Sequence, residues 1–433
     1  VVEFWKYSRP VGHRWLWQLG AAAAFYAEVL LFTDLRGHFG PYYSAVGFYA
    51  ASVLLCVFAV LAQLDRPAAA LSPPRASRLL WSGIALLAGG VAVLYVQVPV
   101  VLANPVDVSQ SDIIPILQNY VGRFRSGEVV YRYITNLPYP LFPNHLPLQW
   151  LPYVPADEFG IDYRWWALGL FLLMGVGVYL IFLNTQRLPW LLFGAASLLP
   201  ALMLRHMIVA DSGLFAHTVE FTIIAYYFGL AAAIFSRSAV LQAAALVLCL
   251  LSRYSVVFWV PLFLWLLWRE RGRAHAVAVA GLTLLGILLI YVRPFLYEDW
   301  TIFTHALSEY RIATLGEWSR KTHLFNGLGF ASFFYTYAPG DLPTRIAWLQ
   351  KAHVLVSVGS VVLSALTYWM LRRRIDYRAL ALISLMLYLA TFYAFIQIPY
   401  AYLTSLVVLL SSFVLVVALS SHASLPEKPM PAA

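Results

Sequence analysis

Apolar residues in this chain come in long unbroken runs, not in the alternating or one-faced patterns of water-soluble strands and helices. A bilayer span needs about 20 apolar residues, and fewer beside a cavity. On that rule spans are predicted near 15–33, 43–64, 79–101, 165–183, 188–204, 214–235, 239–252, 255–268, 275–292, 354–371, 379–397 and 401–420. The expected fold is all-α, a polytopic transmembrane helical bundle of about twelve spans (11–13) forming one domain over 1–433. Two long segments of mixed character, 104–164 and 293–352, interrupt the runs and are expected to carry short interfacial helices. The tail 421–433, rich in Ser, Pro and Ala, reads as disordered and cytoplasmic.

Composition agrees with the pattern. Hydrophobic residues make up 61% and charged ones 11% of 433 positions, against about 45–50% and about 25% in an ordinary soluble domain. Lys6, Arg9, His13 and Arg14 precede the first run, which reads as a retained helix and not a signal peptide. Cys56 and Cys249 both lie inside apolar runs, so neither a disulfide framework nor a thiolate metal cluster is expected.

The net charge of +9 would invite a nucleic-acid partner, but the basic residues are scattered over short loops without a base-stacking stripe. Topology explains them better. With the amino terminus in the cytoplasm, 16 of the 29 Lys and Arg residues fall on the inner side, and the short outer loops hold only Arg36, Arg205 and Arg253. The rest lie in the two long segments, where the positive-inside rule has little force. This predicts a multi-pass plasma-membrane protein with both termini cytoplasmic and both long segments on the extracytoplasmic face. It also splits 239–268 around Ser252-Arg253-Tyr254-Ser255, because one kinked span would turn Arg269, Arg271 and Arg273 outward.

In the first long segment, Ile113, Ile116, Leu117, Tyr120, Val121 and Phe124 follow helical spacing and predict a surface helix over 111–125, with Ser111 as its cap. Pro115 falls in the first turn, where no intrahelical N–H is lost. A tract with Pro138, Pro140, Pro143, Pro147, Pro152 and Pro155 among Tyr139, Phe142, Trp150 and Tyr153 then forbids regular structure.

Asp112, at that helix start, meets free backbone N–H groups and the positive end of the dipole, which keep a carboxylate ionised. The plain alternative is a helix cap. Asp107 and Glu128 are candidates to position an acceptor or a divalent ion, or are ordinary loop carboxylates. His217 and Glu220 share a helix face within a predicted span, where ionisable groups are costly. Their alternative is a structural pairing, Glu220 with His217 or with Arg205 and His206. Arg253, and after it Arg205 and Arg293, offer planar forks for a lipid phosphate, or snorkel to the interface. Arg372-Arg373-Arg374 reads as a cytoplasmic topological anchor. A Gly-rich phosphate loop with Lys, His-Glu-x-x-His and Gly-x-Ser-x-Gly are all absent, which argues against a nucleotide-driven machine.

Ser111-Asp112-Ile113-Ile114-Pro115, Gly127-Glu128-Val129-Val130-Tyr131, Tyr139-Pro140-Leu141 and Leu146-Pro147-Leu148-Gln149-Trp150-Leu151-Pro152 together resemble the first large outer loop of GT-C membrane glycosyltransferases. The resemblance covers about 50 residues at motif level and the whole chain in hydropathy layout. It implies transfer of a sugar from a polyprenyl-phosphate donor to a hydroxyl of a lipid, glycan or protein, with Asp112 as catalytic base. The outer-face arginine on lipid phosphate corresponds to Arg253, and Tyr131 joins the positioning residues. No tightly bound cofactor is implied, and a divalent ion is left open. The acidic loop here follows the third span instead of the first, and Asp112 has no adjacent Glu as protein mannosyltransferases do. The rival readings are a transporter or lipid flippase using Glu220, His217 and Arg205, and a surface-glycan polymerase or ligase using Arg311, Arg320, Lys321 and His323.

Overall fold

A computed structural model describes residues 14–64 and 76–420. The tail 421–433 and the basic residues Lys6, Arg9, Arg66 and Arg75 lie outside the described residues, as does the side chain of His323. The regular structure of the described residues is helical, and their one strand-like contact is a single bridge between Ile134 and Leu141. Among the described residues nine helices are long and apolar enough to cross a bilayer, which makes this a multi-pass membrane protein. They are α1 (Arg14–Phe32), α2 (Gly40–Gln63), α3 (Ala76–Ala103), α5 (Tyr163–Thr185), α6 (Trp190–Ala210), α10 (Arg273–Leu296), α12 (Leu342–Leu371), α13 (Tyr377–Ala394) and α14 (Ala401–Leu419).

Three further apolar helices stand where spans were expected: α7 (Glu220–Ile234), α8 (Ala239–Leu250) and α9 (Val260–Arg271). At 15, 12 and 12 residues they fall short of the roughly 20 that a span requires. Expected 214–235 starts only at Glu220 because Asp211–Val219 is taken up by turns. The split of 239–268 appears as a break at Leu251–Trp259 containing one 3-10 turn, Tyr254–Val256. Expected 354–371 begins twelve residues earlier, where Asp341 accepts the Thr344 N–H at 3.1 Å and Pro343 fits the first turn.

α14 is the axis of the bundle. It packs on α1, α2, α7 and α13, and Leu406, Leu409, Leu410 and Phe413 have no exposed surface. The Phe413 ring meets Tyr179, Phe182 and Phe228 at 4.9–5.0 Å. Its buried hydroxyls are satisfied inside the helix, with Ser411 donating to Val408 O at 2.6 Å and Ser412 to Leu409 O at 2.7 Å. Glu28, wholly buried in α1, accepts the Ser52 hydroxyl of α2 at 2.5 Å. α10 and α12 are peripheral: α10 rests mainly on α8 and α9, α12 mainly on α13, and only 22% of each apolar window is covered.

Successive helix connections alternate between two ends. At one end Arg14 donates to Ser420 O (3.2 Å) and Arg78 to Gln186 O (3.0 Å). The other end gathers the two long segments. There α4 (Ile113–Arg125) and α11 (Thr301–Arg320) lie with the short helices Pro147–Trp150, Val154–Glu158, Thr322–Asn326 and Ala331–Tyr337. The segments touch each other: Tyr133 donates to Glu309 at 3.4 Å, and the Phe142 ring meets His305 at 5.3 Å. The proline tract is held by its backbone, with Leu148 N on Leu251 O (2.9 Å), Tyr226 on Leu148 O (3.2 Å) and Trp166 on Pro152 O (2.7 Å).

Asp-Tyr-Arg occurs twice, at 162–164 and 376–378, each time opening a helix. In both copies the Asp accepts the Arg backbone N–H at 2.8 Å and pairs with its guanidinium at 2.6 Å. Arg164 is buried and also donates to Asn104 O and, at 2.9 Å, to Ala216 O, tying the ends of α3, α5 and α6 together. Arg164→Ala removes the guanidinium from two carbonyls and from Asp162, which keeps only the backbone N–H of residue 164, so we expect a loss of about 2–3 kcal/mol. Thermal unfolding read by a thiol dye measures this directly, since Cys56 and Cys249 are both buried. A melting temperature within one degree of wild type would contradict it.

Candidate functional site

α4 follows its sequence pattern closely. Ile114, Ile116, Leu117, Tyr120 and Val121 are buried. Phe124 is largely exposed but sets its edge on Trp150 and on Phe295, at 5.5 and 6.5 Å. The helix ends at Gly127, whose φ of 69° places it in the left-handed region. Gly127 N bonds Phe124 O (3.2 Å) and Glu128 N bonds Arg123 O (2.8 Å), the paired closure that favours glycine at this position.

The start of α4 is chemically more informative. Asp112 occupies the cap position with helical backbone angles (φ −84°, ψ −10°), yet its side chain makes no capping bond. Ser111 Oγ accepts the Ile113 N–H at 3.4 Å instead. The Asp112 carboxylate accepts the Tyr139 hydroxyl across the loop. Burial first, and then that bond to a carboxylate, push the Tyr139 phenol well above its usual range, so it stays a donor.

His145 lies behind this pair. Tyr120 OH shares a 3.1 Å hydrogen bond with its Nδ1, and Tyr131 OH donates to its backbone carbonyl at 2.9 Å. Trp150 Nε1 in turn reaches Tyr131 OH at 3.3 Å. The Asp112 carboxylate raises and the Arg253 guanidinium lowers the proton affinity of the ring, each by less than burial does. Burial dominates and lowers the imidazole to about 4, so it is neutral at ordinary pH.

Arg253 opens the break between α8 and α9. Its guanidinium grips Glu220, the first residue of α7, at 2.6 and 2.8 Å, and reaches Tyr393 OH of α13 at 3.3 Å. Tyr393 and Tyr227 both converge on Ser255 Oγ, at 3.2 and 2.7 Å. Glu220 is thus partnered by Arg253, not by His217, Arg205 or His206. The α13–α14 turn closes the far side with Tyr400 and Tyr402, whose rings stack at 5.4 Å and whose phenols feel the Asp112 charge. α11 is pinned to the same turn by Trp318, which donates to Gln397 O at 2.9 Å. Gly327 approaches Pro399 so closely that a Cβ there would sit 2.0 Å from its carbonyl oxygen.

Of the expected site residues Arg253 and Glu220 are joined directly, while Asp112 is held by Tyr139 and Tyr131 by His145. The other candidates stand elsewhere. Asp107 is exposed and accepts the Ser109 N–H at 2.9 Å, a bond that lowers its carboxyl. His217 lies in the α6–α7 turn near Asp107, its imidazole lowered by burial. Glu128 is exposed and paired with Arg132. Arg205 is exposed on α6, and Arg293 stacks over Tyr297 at 5.1 Å. Tyr139, His145, Tyr393, Tyr400 and Tyr402 are the neighbours that sequence reasoning did not single out. Their only signal is a set of aromatic and imidazole groups near prolines, which membrane-interface belts produce as well. Among the described residues no three His, Cys, Asp or Glu side chains are grouped to hold a metal.

No protein-family model, curated protein or solved structure matches the chain.

The neutral His145 gives a pH test. Its folded value of about 4 lies below the unfolded value near 6.5, so between those limits the unfolded chain binds the extra proton. Stability is complete above about pH 6.5 and falls as pH drops toward 4. Wild type should lose about 2 kcal/mol from this group between pH 7.5 and pH 5. His145→Gln should lose correspondingly less in melting experiments at the two pH values, and equal losses would show that the ring is already protonated or solvated.

Proposed function

We propose that this chain is an integral membrane glycosyltransferase that moves a sugar from a polyprenyl-phosphate donor to a hydroxyl acceptor, with inversion. The observation that carries the reading is the Asp112 carboxylate, freed from capping its own helix and held by Tyr139, in the same loop segment whose Leu148 N–H docks on Leu251 O beside the Arg253 break. The reading places both termini in the cytoplasm, about twelve helices in the plasma membrane and the site on the extracytoplasmic face. On this reading α7, α8 and α9 are short spans of the kind that helices beside a cavity can be.

In the proposed reaction an Asp112 oxygen takes the acceptor proton as the acceptor oxygen bonds to the anomeric carbon. The bond from that carbon to the phosphate oxygen breaks on the opposite side, and its electron pair leaves on the lipid phosphate. Tyr139 fixes the carboxylate and keeps its second oxygen open. Arg253 spends three contacts on Glu220 and Tyr393, and a guanidinium has five N–H donors, so two remain for the leaving phosphate. The poorly covered flanks of α10 and α12 leave lipid-facing surface beside the Arg253 break, which suits a donor arriving from the bilayer.

The test is transfer from radiolabelled polyprenyl-phosphate sugar by purified protein in nanodiscs. Asp112→Asn should lower turnover by about 10²–10⁴-fold, the range for a general base, without shifting the melting temperature. Full activity in that variant would remove Asp112 from the reaction. Arg253→Ala would leave Glu220 buried and unpaired, so Arg253→Lys is the informative change. It should raise the donor KM by about tenfold, equivalent to one good hydrogen bond, with a smaller effect on kcat. An unchanged donor KM would rule Arg253 out as phosphate ligand.

A further inference from the structure

A cavity of about 520 Å³ lies along the polar face of α4, between that helix and the loop at 136–137. The size is within the roughly 300–1,000 Å³ typical of small-molecule sites. Three stretches of chain build it. Val108 comes from the approach to α4, Gln118, Asn119 and Gly122 from the helix, and Asn136 and Leu137 from the opposite loop. Pro115 and Arg123 complete the lining.

The chemistry of this lining is narrow. It contains no carboxylate. Its one charged group, Arg123, is turned onto three backbone carbonyls, those of Val130, Arg132 and Tyr133, at 3.1, 2.6 and 2.8 Å. What remains for a ligand is three carboxamides. Asn119 commits only an N–H, to Pro115 O at 2.9 Å, and keeps its carbonyl oxygen free. Gln118 and Asn136 make no side-chain hydrogen bond among the described residues. Carboxamides donate and accept together, as hydroxyl groups do. Val108, Pro115 and Leu137 supply the apolar patches that a ring carrying C–H bonds on its faces would cover.

The groove also leads somewhere. Asp112, Pro115, Asn119 and Gly122 are spaced three, four and three residues apart, one continuous ridge of a helix. Leu137 stands two residues from Tyr139, the partner of Asp112. We infer that this groove binds an uncharged oligosaccharide, laid along α4 with one hydroxyl directed toward the Asp112–Tyr139 pair. The inference rests on the proposed transfer and narrows its acceptor to a neutral glycan.

Gly122 makes the test clean, because a Cβ built on it meets nothing within 4 Å and its backbone is helical. Gly122→Trp should fill the groove from an unstrained position. The full chain is placed in nanodiscs free of glycoside detergents and titrated with neutral tetrasaccharides built from mannose, glucose, galactose or arabinose. Uronic-acid tetramers and a neutral peptide serve as comparisons. Calorimetry and saturation-transfer NMR should show binding of at least one neutral series, weakened tenfold or more by Gly122→Trp. The double variant Gln118→Ala, Asn136→Ala should weaken it as well, and it carries the test if the tryptophan variant does not fold. No binding of any neutral series, binding that both variants leave intact, or preference for the uronic-acid tetramers or the peptide overturns the inference. Oligosaccharide binding without any turnover of polyprenyl-phosphate sugar would sink the transferase reading while leaving the groove standing, and turnover without groove-dependent binding would do the reverse.

Discussion

The pairing of Arg253 with Glu220 is the constraint around which this bundle is arranged. Either charge alone among apolar helices would be costly, and removing one partner strands the other. Together, with Tyr393 and Ser255, they join the start of α7, the break between α8 and α9, and the end of α13. Between helices already surrounded by apolar matter, dry contact gives little register, and polar bonds of this kind supply it. The short lengths of α7, α8 and α9 follow: each has an end at or next to the break that holds the pair.

The same constraint sets what the loop-rich end can do. The proline tract was expected to lack regular structure, but Pro147, Pro152 and Pro155 each fit the first turn of a short helix, and only 126–146 is irregular. Its backbone is tied to Tyr226 of α7 and to Leu251 at the end of α8. The tract thereby carries Tyr139 to the start of α4 and His145 to Tyr120 in its middle. A capping carboxylate would be consumed by its own helix. Asp112 is not, because its backbone is already helical and Tyr139 supplies the competing donor. A carboxylate with a fixed partner and a second oxygen uncommitted suits the proton acceptor of the proposed reaction.

Much of this was legible in the sequence. Long apolar runs fixed the positions of the helices, since hydropathy reports burial in lipid and in protein alike. Helical spacing identified α4, and the charge of Arg269, Arg271 and Arg273 revealed the break at Arg253. The span count was less legible, because apolar runs of 12 to 15 helical residues look like spans when turns with apolar side chains adjoin them. The first twelve residues of α12 carry Arg345, Gln350 and Lys351, and only the Asp341 cap reveals that they are helical. The partner of Glu220 is 33 residues away in the break between two other helices, and no local period encodes such a contact. Tyr139 and His145 sit where prolines erase periodicity, so the bond of Tyr139 to Asp112 and that of His145 to Tyr120 depend on the tertiary fold alone.

The most direct measurement is a structure of the protein in nanodiscs with an unreactive polyprenyl-phosphate sugar bound. The account predicts the phosphate against the free N–H donors of Arg253, and the anomeric carbon facing Asp112 with room between them for an acceptor oxygen. A ligand whose sugar lies away from Asp112, or whose phosphate sits at the opposite end of the bundle, would contradict it.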